Sequence, residues 1–295
     1  MYRIIKTDKK IITAITATVI LVMCMFIVFS HSEPYKPASM VQKAEKTLIL
    51  PAIMYHSVLK DTAMHGEYVI SPAELEKDLK FINDHGYTCV TPEDLIAYTN
   101  NNLELPKKPI MLTFDDGYYN NYLYVYPLLK KYGCKAVISV IGTYTQQYSD
   151  NPEENAYYSH CTWDNLKEML NSGLVEVANH SYNMHKSGGE RLGTKINNGE
   201  NQEKYKDMLR DDIATLQEAF EHNLEIKNHT FVYPFGAYDD SEDDFIASLG
   251  YKCTITCNEK LNYITKSPES LFRLGRFIRP SGTSLEDIFQ KNNLC

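Results

Sequence analysis

Closely spaced cysteine pairs are missing from the sequence. None of its seven cysteines lies three positions from another, so the CxxC spacing of zinc fingers and dithiol redox centres is absent, which excludes both kinds of site. Cys253 and Cys257 come nearest, but in a strand they would lie about 13 Å apart, beyond the reach of a disulfide. We therefore expect no disulfide bonds.

Basic stretches are also scarce. The formal net charge is -8, and basic residues cluster only at the N-terminus. A chain of this charge repels phosphate backbones, which argues against nucleic acid as a partner and favours a neutral or cationic substrate. Repeats and low-complexity tracts are absent, and 295 residues with 43% hydrophobic content suffice for one sizeable α/β domain with a short appendage.

An uncharged run marks the N-terminal part of the chain. Residues 11–29 carry no charge and approach the length of about 20 residues that spans a bilayer as a helix. Basic residues precede the run, and the positive-inside rule keeps them in the cytoplasm. We predict a cytoplasmic segment (1–10), a single-pass anchor in the cell membrane (11–29), a linker (30–46) and an extracellular domain (47–295). A cleaved signal peptide is the alternative.

Short apolar runs alternate with amphipathic segments from Leu48 onward. The candidate strands are LILPAIMY, CVT, IMLTF, AVISV, LVEVA, HTFVY and YKCTIT. Helices are expected where Ser71 and Thr91 can cap a following proline-led segment, and in the stretch from Tyr205 to His222. About seven or eight strands alternating with helices predict a largely parallel α/β sheet, either open or closed into a barrel.

The motif TFDDGY ends one candidate strand in two adjacent carboxylates, Asp115 and Asp116. Because Gly117 lets the chain turn sharply, both carboxylates can reach one pocket, one to bind a metal and the other to handle protons. An Asp-Gly turn with solvated acids explains this motif alone equally well.

The motif VEVANHSYNMH ends a second candidate strand and carries His180 and His185. Two imidazoles and one carboxylate can form an open metal site that leaves positions for water. A spacing of five does not suit one helix face, so residues 181–184 must form a loop. A histidine pair taken alone is more often incidental.

The motif FVYPFGAYD ends a third candidate strand in Pro234, Phe235 and Gly236. Such a turn can hold a backbone N–H toward a developing oxyanion, although a simple turn is also consistent with it. All three motifs follow parallel-strand candidates at their carboxyl ends, where ligand sites form in barrels and open α/β sheets.

The motifs TFDDGY, NHSYNMH and YPFGAYD, in this order, resemble motifs one to three of the polysaccharide deacetylases, carbohydrate esterase family four. The resemblance covers roughly residues 49–279 and implies a distorted (β/α) barrel of about seven strands that hydrolyses N-acetyl groups of glucosamine-type polymers. It assigns Asp115 as general base, Asp116, His180 and His185 as metal ligands, and the Phe235 amide as an oxyanion donor.

The resemblance also implies what the site binds. We expect a divalent metal ion, Zn²⁺ first, with Ni²⁺, Co²⁺ or Fe²⁺ as alternatives, and an N-acetylated glycan polymer as the substrate. Tyr118, Tyr182, Pro234 and Gly236 flank the motif residues and are expected to bind this substrate. We expect a monomer attached to the membrane, with residues 47–295 as the catalytic domain.

Three departures from the family pattern bear on the substrate and the mechanism. The histidine spacing of five, instead of four, is typical of the poly-N-acetylglucosamine deacetylase branch and favours exopolysaccharide over peptidoglycan. The motif-three arginine would fall near Val232 and is absent, so the group that orients Asp115 must come from elsewhere, with Arg276 and Arg279 as candidates. No histidine follows His229, so the usual general acid is missing, and His160 or a metal-bound water is the candidate replacement.

Two other functions remain open on the sequence alone. One is a catalytically impaired protein that binds or assembles wall polysaccharide, and the other is an O-acetyl esterase of a xylan-like polymer. His56 could approach the pocket at the end of the first strand, whereas Trp163 is more typical of a core or barrel-rim residue.

Overall fold

The computed structural model describes residues 47–188, 191–239 and 241–294. The basic segment 1–10, the predicted anchor 11–29 and the linker 30–46 lie outside the described residues. Within the described ranges, every helix is too short or too polar to span a bilayer.

Strands and helices alternate along most of the described chain. The strands are β1 (Leu48–Leu50), β2 (Ala52–Tyr55), β3 (Ser57–Val58), β4 (Val69–Ile70), β5 (Thr88–Cys89), β6 (Pro109–Phe114), β7 (Ala136–Val140), β8 (Val175–Asn179), β9 (Thr230–Val232), β10 (Cys253–Ile255), β11 (Asn262–Ile264) and β12 (Phe277–Ile278). The α-helices are α1 (Pro72–Asp84), α2 (Pro92–Thr99), α3 (Tyr126–Tyr132), α4 (Gly142–Asp150), α5 (Trp163–Asn171), α6 (Gln202–Leu224), α7 (Glu242–Ser248) and α8 (Leu285–Lys291). A π-helix (Asn121–Val125) precedes α3, and short 3₁₀ helices span Thr62–Met64, Pro234–Gly236 and Pro268–Leu271.

Seven parallel strands form the main sheet, in the order β10-β9-β8-β7-β6-β2-β12, and β5 pairs with the beginning of β6. A parallel bridge joins Ile255 in β10 to Leu274, just before β12, so the sheet curls back toward its other edge. The predicted parallel α/β sheet is therefore confirmed, in the form of a half-barrel. Two small pairs, β1 with β11 and β3 with β4, lie outside it.

Capping explains where several helices begin. Ser71 and Thr91 each form a complete capping box with the third residue of the adjoining helix, and a proline occupies the first turn of both helices, as predicted. Thr162 and Ser284 cap α5 and α8 in the same way, although neither helix starts with proline. Gly133 ends α3 with a φ of 65°, a left-handed conformation that glycine adopts without strain.

The alternation of side chains along β6 separates the core from the functional edge. Leu112 and Phe114 pack in the larger apolar cluster, which includes residues of α1, α3 and α5. Met111 belongs to a different apolar cluster. Because strand side chains alternate with a period of two, Met111, Thr113 and Asp115 share one face. The same periodicity that builds the core therefore delivers Asp115 to the inner face of the curled sheet.

Packing around β6 gives a stability prediction. Leu112→Ala removes a fully buried side chain and should lower the free energy of unfolding by about 3 kcal/mol, because a cavity remains in the core. The exposed Leu103→Ala is the matched control and should change it by less than about 0.5 kcal/mol. Urea denaturation followed by circular dichroism measures both, and equal effects would contradict the assigned packing.

Candidate metal-binding and catalytic site

A sharp turn after β6 separates the two adjacent carboxylates. Asp116 and Gly117 both have positive φ values, 69° and 68°. A Cβ atom on Gly117 would lie 2.8 Å from the Val140 side chain, so both the backbone conformation and the lack of space require glycine there. The turn sends the side chains of Asp115 and Asp116 to different partners at the same edge of the sheet.

Asp116 meets both predicted histidines. Its Oδ1 atom lies 3.7 Å from Nε2 of His180 and 3.3 Å from Nε2 of His185. One ligand atom from each of the three side chains lies within 4.8 Å of the other two. The structure thus brings a carboxylate and two imidazoles together, although Asp116 and His185 are 69 positions apart in the chain.

The loop between the two histidines explains their spacing of five. Ser181 has a φ of 69°, and its hydroxyl accepts a hydrogen bond from the backbone N–H of Met184. Asp212 of α6 accepts hydrogen bonds from the N–H groups of Tyr182 and Asn183. These contacts fold residues 181–184 into a compact turn, which returns His185 to the side of His180.

The protonation state of His180 suits a metal ligand. Its Nδ1 lies 2.7 Å from the Val232 carbonyl oxygen, which requires the proton on Nδ1 and leaves the Nε2 lone pair free toward Asp116. Burial lowers the pKa of His180 to about 3 and also lowers the pKa of His185, so both rings stay neutral at pH 7. Neutral imidazole is the form that binds metal ions.

The surroundings of Asp116 suit a carboxylate that binds a cation. Burial, followed by the nearby charge of Asp115, raises the pKa of Asp116 to about 6, although His56 opposes the shift. Its Oδ1 is buried and has no hydrogen-bond partner within the described structure. A divalent ion between this oxygen and the two Nε2 atoms would satisfy all three donors, so the residues fit a metal such as zinc.

Asp115 is held by a buried arginine. Arg276 donates two hydrogen bonds to it, Nη1 to Oδ1 at 2.7 Å and Nη2 to Oδ2 at 2.8 Å, and Ser139 of β7 donates a third at 2.7 Å. Burial would raise the pKa of Asp115, but Arg276, His180 and His56 outweigh it and hold the pKa well below its usual range. Arg279 instead pairs with Asp78 of α1.

A cavity of about 420 Å³ opens above these groups. His56 lines it, with Nε2 3.9 Å from Oδ2 of Asp115, so the prediction that His56 approaches the pocket is confirmed. Two exposed aromatic rings flank the cavity: Tyr68 contacts His56 edge-on at 4.8 Å, and Phe235 lies 4.3 Å from the His185 ring. A sugar ring can stack on such side chains.

The predicted substrate-binding residues divide into two groups. Tyr118, like Phe235, lines the cavity. Tyr182 does not, because its ring packs against Gly142, where a Cβ atom would lie 2.4 Å from it. Pro234 is buried, and Gly236 packs against Cys257, so both act on the cavity only by shaping the turn around Phe235.

Among the residues of the site that sequence reasoning missed are Ser139, Tyr68 and Cys257. Ser139 interrupts the apolar strand AVISV, and a polar residue on the inward face of a buried strand was an available signal. Cys257 lines the cavity and contacts Nη2 of Arg276 at 3.5 Å. No local pattern marks Tyr68 or Cys257, since both reach the cavity only through the fold.

His160 occupies a different place from the one predicted for a proton donor. It does not line the catalytic cavity, and its ring stacks on Tyr118 with centroids 4.9 Å apart. Burial lowers the pKa of His160 to about 4, so its ring is neutral at pH 7. Trp163 is buried against Phe220 in the core, as predicted.

These features define an α/β half-barrel with an Asp/His/His cluster, suited to a metal ion, beside an arginine-held aspartate. A family model described as polysaccharide deacetylase matches residues 102–254, more than half of the chain. The chain therefore belongs to the polysaccharide deacetylase family, as the motifs indicated.

Relatives of known name fit this assignment. The poly-β-1,6-N-acetyl-D-glucosamine N-deacetylase of Escherichia coli K12 is 24% identical over 260 residues, which cover 81% of this chain and 38% of that protein. This chain thus corresponds to well under half of that relative. The protein of the same name from Staphylococcus aureus MRSA252 is 24% identical over 222 residues, with 71% of this chain and 72% of the relative covered.

Solved structures show the same fold. A de-N-acetylase from Aggregatibacter actinomycetemcomitans superimposes with a TM-score of 0.70 and 26% identity, covering 84% of this chain and all of that one. IcaB from Ammonifex degensii gives a TM-score of 0.67 at 24% identity, covering 83% and 96%, a likeness that concerns the fold alone.

The geometry predicts which side chains control metal affinity. Asp116→Asn and His185→Gln should each weaken Zn²⁺ binding at least about tenfold, because each removes or neutralises one donor. His56 lines the same cavity outside the cluster, so His56→Gln should leave the affinity for Zn²⁺ little changed. Competition with a chromogenic chelator measures all three, and a loss in His56→Gln as large as in the other two would contradict this ligand set.

Proposed function

We propose that this protein is a metal-dependent N-deacetylase that removes acetyl groups from an extracellular N-acetylglucosamine polysaccharide and releases acetate. The observation that carries the proposal is the Asp116, His180 and His185 cluster with Asp115 held separately beside it. The names of the Escherichia coli and Staphylococcus aureus relatives support poly-β-1,6-N-acetylglucosamine as the substrate class. The metal is proposed to be Zn²⁺, and the protein is proposed to act as a monomer.

We also propose that the catalytic domain lies outside the cell on a single-pass membrane anchor. The uncharged run at 11–29 and the basic residues before it support this location. An extracellular site would place the domain beside exopolysaccharide or peptidoglycan.

Three side chains would hold the metal and one would handle the proton. A divalent ion bound by Asp116, His180 and His185 supplies Lewis-acid polarisation of the acetamide carbonyl and a water of lowered pKa. Asp115 takes the proton from the attacking water, because Arg276 and Ser139 keep its carboxylate ionised and fixed in orientation. The Phe235 backbone N–H is proposed to donate to the developing oxyanion.

The leaving amine needs a proton, and the cavity contains groups that can return one. Asp115 carries a proton after the attack, and His56 lies 3.9 Å from it in the same cavity. These two groups remove the need for the late histidine that the sequence lacks.

The Arg276 contact also weakens the case for an impaired protein. The sequence has no arginine in the third motif, which suggested a loss of activity. In the structure Arg276 donates hydrogen bonds to both carboxylate oxygens of Asp115. The charge that orients Asp115 therefore comes from the C-terminal part of the chain instead of the third motif.

Acetate release tests the proposal. Asp116→Ala should abolish release of acetate from N-acetylglucosamine oligomers, and Asp115→Asn should lower kcat by at least about a hundredfold while Zn²⁺ still binds. Chelation followed by Zn²⁺ add-back should remove and restore the wild-type rate. An enzymatic acetate assay measures the rates, with acetylated xylan as the comparison substrate. Full activity in Asp116→Ala, or activity on xylan alone, would overturn the assignment.

The environment of Asp115 predicts a change in pH dependence. In Arg276→Lys a single ammonium replaces the two-point guanidinium contact, so the lowered pKa of Asp115 should rise toward its usual value. Asp115 acts as a base only when ionised, and the acid limb of the kcat profile should therefore move to higher pH. Arg279→Lys, which contacts Asp78, is the control and should leave the limb in place. Measuring kcat at saturating Zn²⁺ across the acid pH range tests this prediction. An acid limb that does not move in Arg276→Lys would refute the role given to Arg276.

A further inference from the structure

The turn Pro234–Gly236, which carries the proposed oxyanion donor, is held in an unusual conformation. Phe235 has a φ of 58°, in the left-handed region where a residue with a Cβ atom is strained. In the described part of the chain its N–H donates to no backbone carbonyl, so it remains available to a ligand. A strained conformation persists only where the surrounding structure fixes it. Contacts from outside the turn are therefore needed to fix the direction of this N–H.

Gly193 makes such a contact, with the peptide group that contains the N–H. A Cβ atom on Gly193 would lie 2.6 Å from the Pro234 carbonyl oxygen and 3.2 Å from the Pro234 side chain, so the two backbones touch. The Pro234 carbonyl and the Phe235 N–H belong to one planar trans peptide group, in which the two bonds point in opposite directions. Gly193 therefore restrains this peptide group from the side opposite to the N–H.

Gly193 belongs to a short segment, residues 192–195, which we call the Gly193 turn. Its φ of 56° and its close contact with a backbone oxygen both favour glycine at this position. Its N–H donates a hydrogen bond to the carbonyl of Lys186 at 2.9 Å. Lys186 directly follows His185, so the Gly193 turn connects the histidine loop to the turn that carries Phe235.

Tyr205 of α6 holds the Gly193 turn through its hydroxyl group. The hydroxyl oxygen lies 2.9 Å from the Thr194 carbonyl oxygen and 2.6 Å from Oε1 of Glu242 in α7, and all three residues are buried. A carbonyl oxygen only accepts, so Tyr205 donates its one proton to Thr194, and the Glu242 carboxyl group donates to Tyr205. Burial raises the pKa of Glu242 to about 7, which favours the neutral carboxyl group that this arrangement requires.

We propose that the Gly193 turn positions the Phe235 N–H through the contact between Gly193 and its peptide group. The hydrogen bonds that link Glu242, Tyr205 and Thr194 keep the turn in place for this task. The inference rests on the proposed function, in which the N–H stabilises a developing oxyanion. Such a donor acts mainly in the transition state, so misdirecting it lowers kcat and leaves KM nearly unchanged.

Two glycine variants of the full-length chain test the contact. In Gly193→Ala the new methyl group overlaps the Pro234 carbonyl, so the peptide group must move, and kcat for acetate release from an N-acetylglucosamine tetramer should fall at least about tenfold. Gly199→Ala is the matched control, because Gly199 also has a positive φ, 76°, but its added Cβ atom would meet no neighbouring group within 4 Å. It should change kcat by less than about twofold.

The affinity for Zn²⁺ and the KM distinguish positioning from general damage. Both should stay within about twofold of the wild type in Gly193→Ala, because Gly193 touches the Pro234 peptide group and not a metal ligand. Competition with a chromogenic chelator measures the affinity. Equal kcat values in the two glycine variants, or a joint loss of kcat and Zn²⁺ affinity in Gly193→Ala, would overturn the proposal.

Hydrogen exchange tests the part played by Tyr205. Tyr205→Phe leaves the buried Thr194 carbonyl without its donor and should speed amide exchange in the Gly193 turn at least about fivefold. Tyr263→Phe removes a hydroxyl group from an exposed ring and should leave that exchange unchanged. Mass spectrometry of peptides from both variants measures the rates. If exchange in the turn stays as slow in Tyr205→Phe as in the control, this hydrogen bond does not hold the turn.

A measurement without turnover separates this proposal from the proposed function. With ¹⁵N-labelled phenylalanine, the amide resonance of Phe235 should shift in Gly193→Ala and stay in place in Gly199→Ala. If the wild type releases no acetate but the resonance shifts in this way, the proposed activity fails and the positioning contact stands. If the wild type releases acetate and the resonance is the same in both variants, the activity stands and the positioning role is refuted.

Discussion

The buried pair of Asp115 and Arg276 is the interaction on which the rest of the site depends. The two side chains are 161 positions apart, and both are almost fully removed from solvent. Burying two charges is costly, and only good geometry with additional hydrogen bonds offsets that cost. Here Arg276 contacts both oxygens of Asp115 and also donates to Thr113 and to the carbonyl of Thr256. The pair thereby fixes the segment before β12 against β6, where the sheet curls back on itself.

The same pair separates the roles of two adjacent carboxylates. Both Asp115 and Asp116 are buried, and burial raises the pKa of either. Arg276 reverses the effect for Asp115, whose pKa is held well below its usual range. Asp116 lacks such a partner, and its pKa rises to about 6. Two carboxylates whose environments shift their pKa values in opposite directions are suited to different tasks. Asp116 therefore lacks a cationic partner, whereas Arg276 keeps Asp115 ionised.

The sequence predicted the parts of this arrangement that depend on neighbouring residues, namely strand ends, glycine turns and helix caps. The partner of Asp115 was not predictable, because Arg276 and Arg279 have equivalent local patterns and the fold alone brings Arg276 to β6. The loop between the two histidines is a second case, since their spacing excludes a helix face but leaves many conformations open. Asp212, 30 positions after Tyr182, selects one of them by accepting hydrogen bonds from the loop backbone. That single conformation brings His185 beside His180 and Asp116 and turns the Tyr182 ring away from the cavity, which the motif by itself could not predict.

Four consecutive residues, 115–118, contribute directly to the candidate site. Asp115 faces the arginine, Asp116 faces the histidines, and Gly117 provides the turn at the end of β6. Tyr118 then lines the cavity. Because successive side chains at a strand end point in different directions, a single short segment can present one carboxylate to Arg276, a second carboxylate to the histidines and an aromatic ring to the cavity. The backbone of this turn therefore sets the positions of these side chains relative to one another.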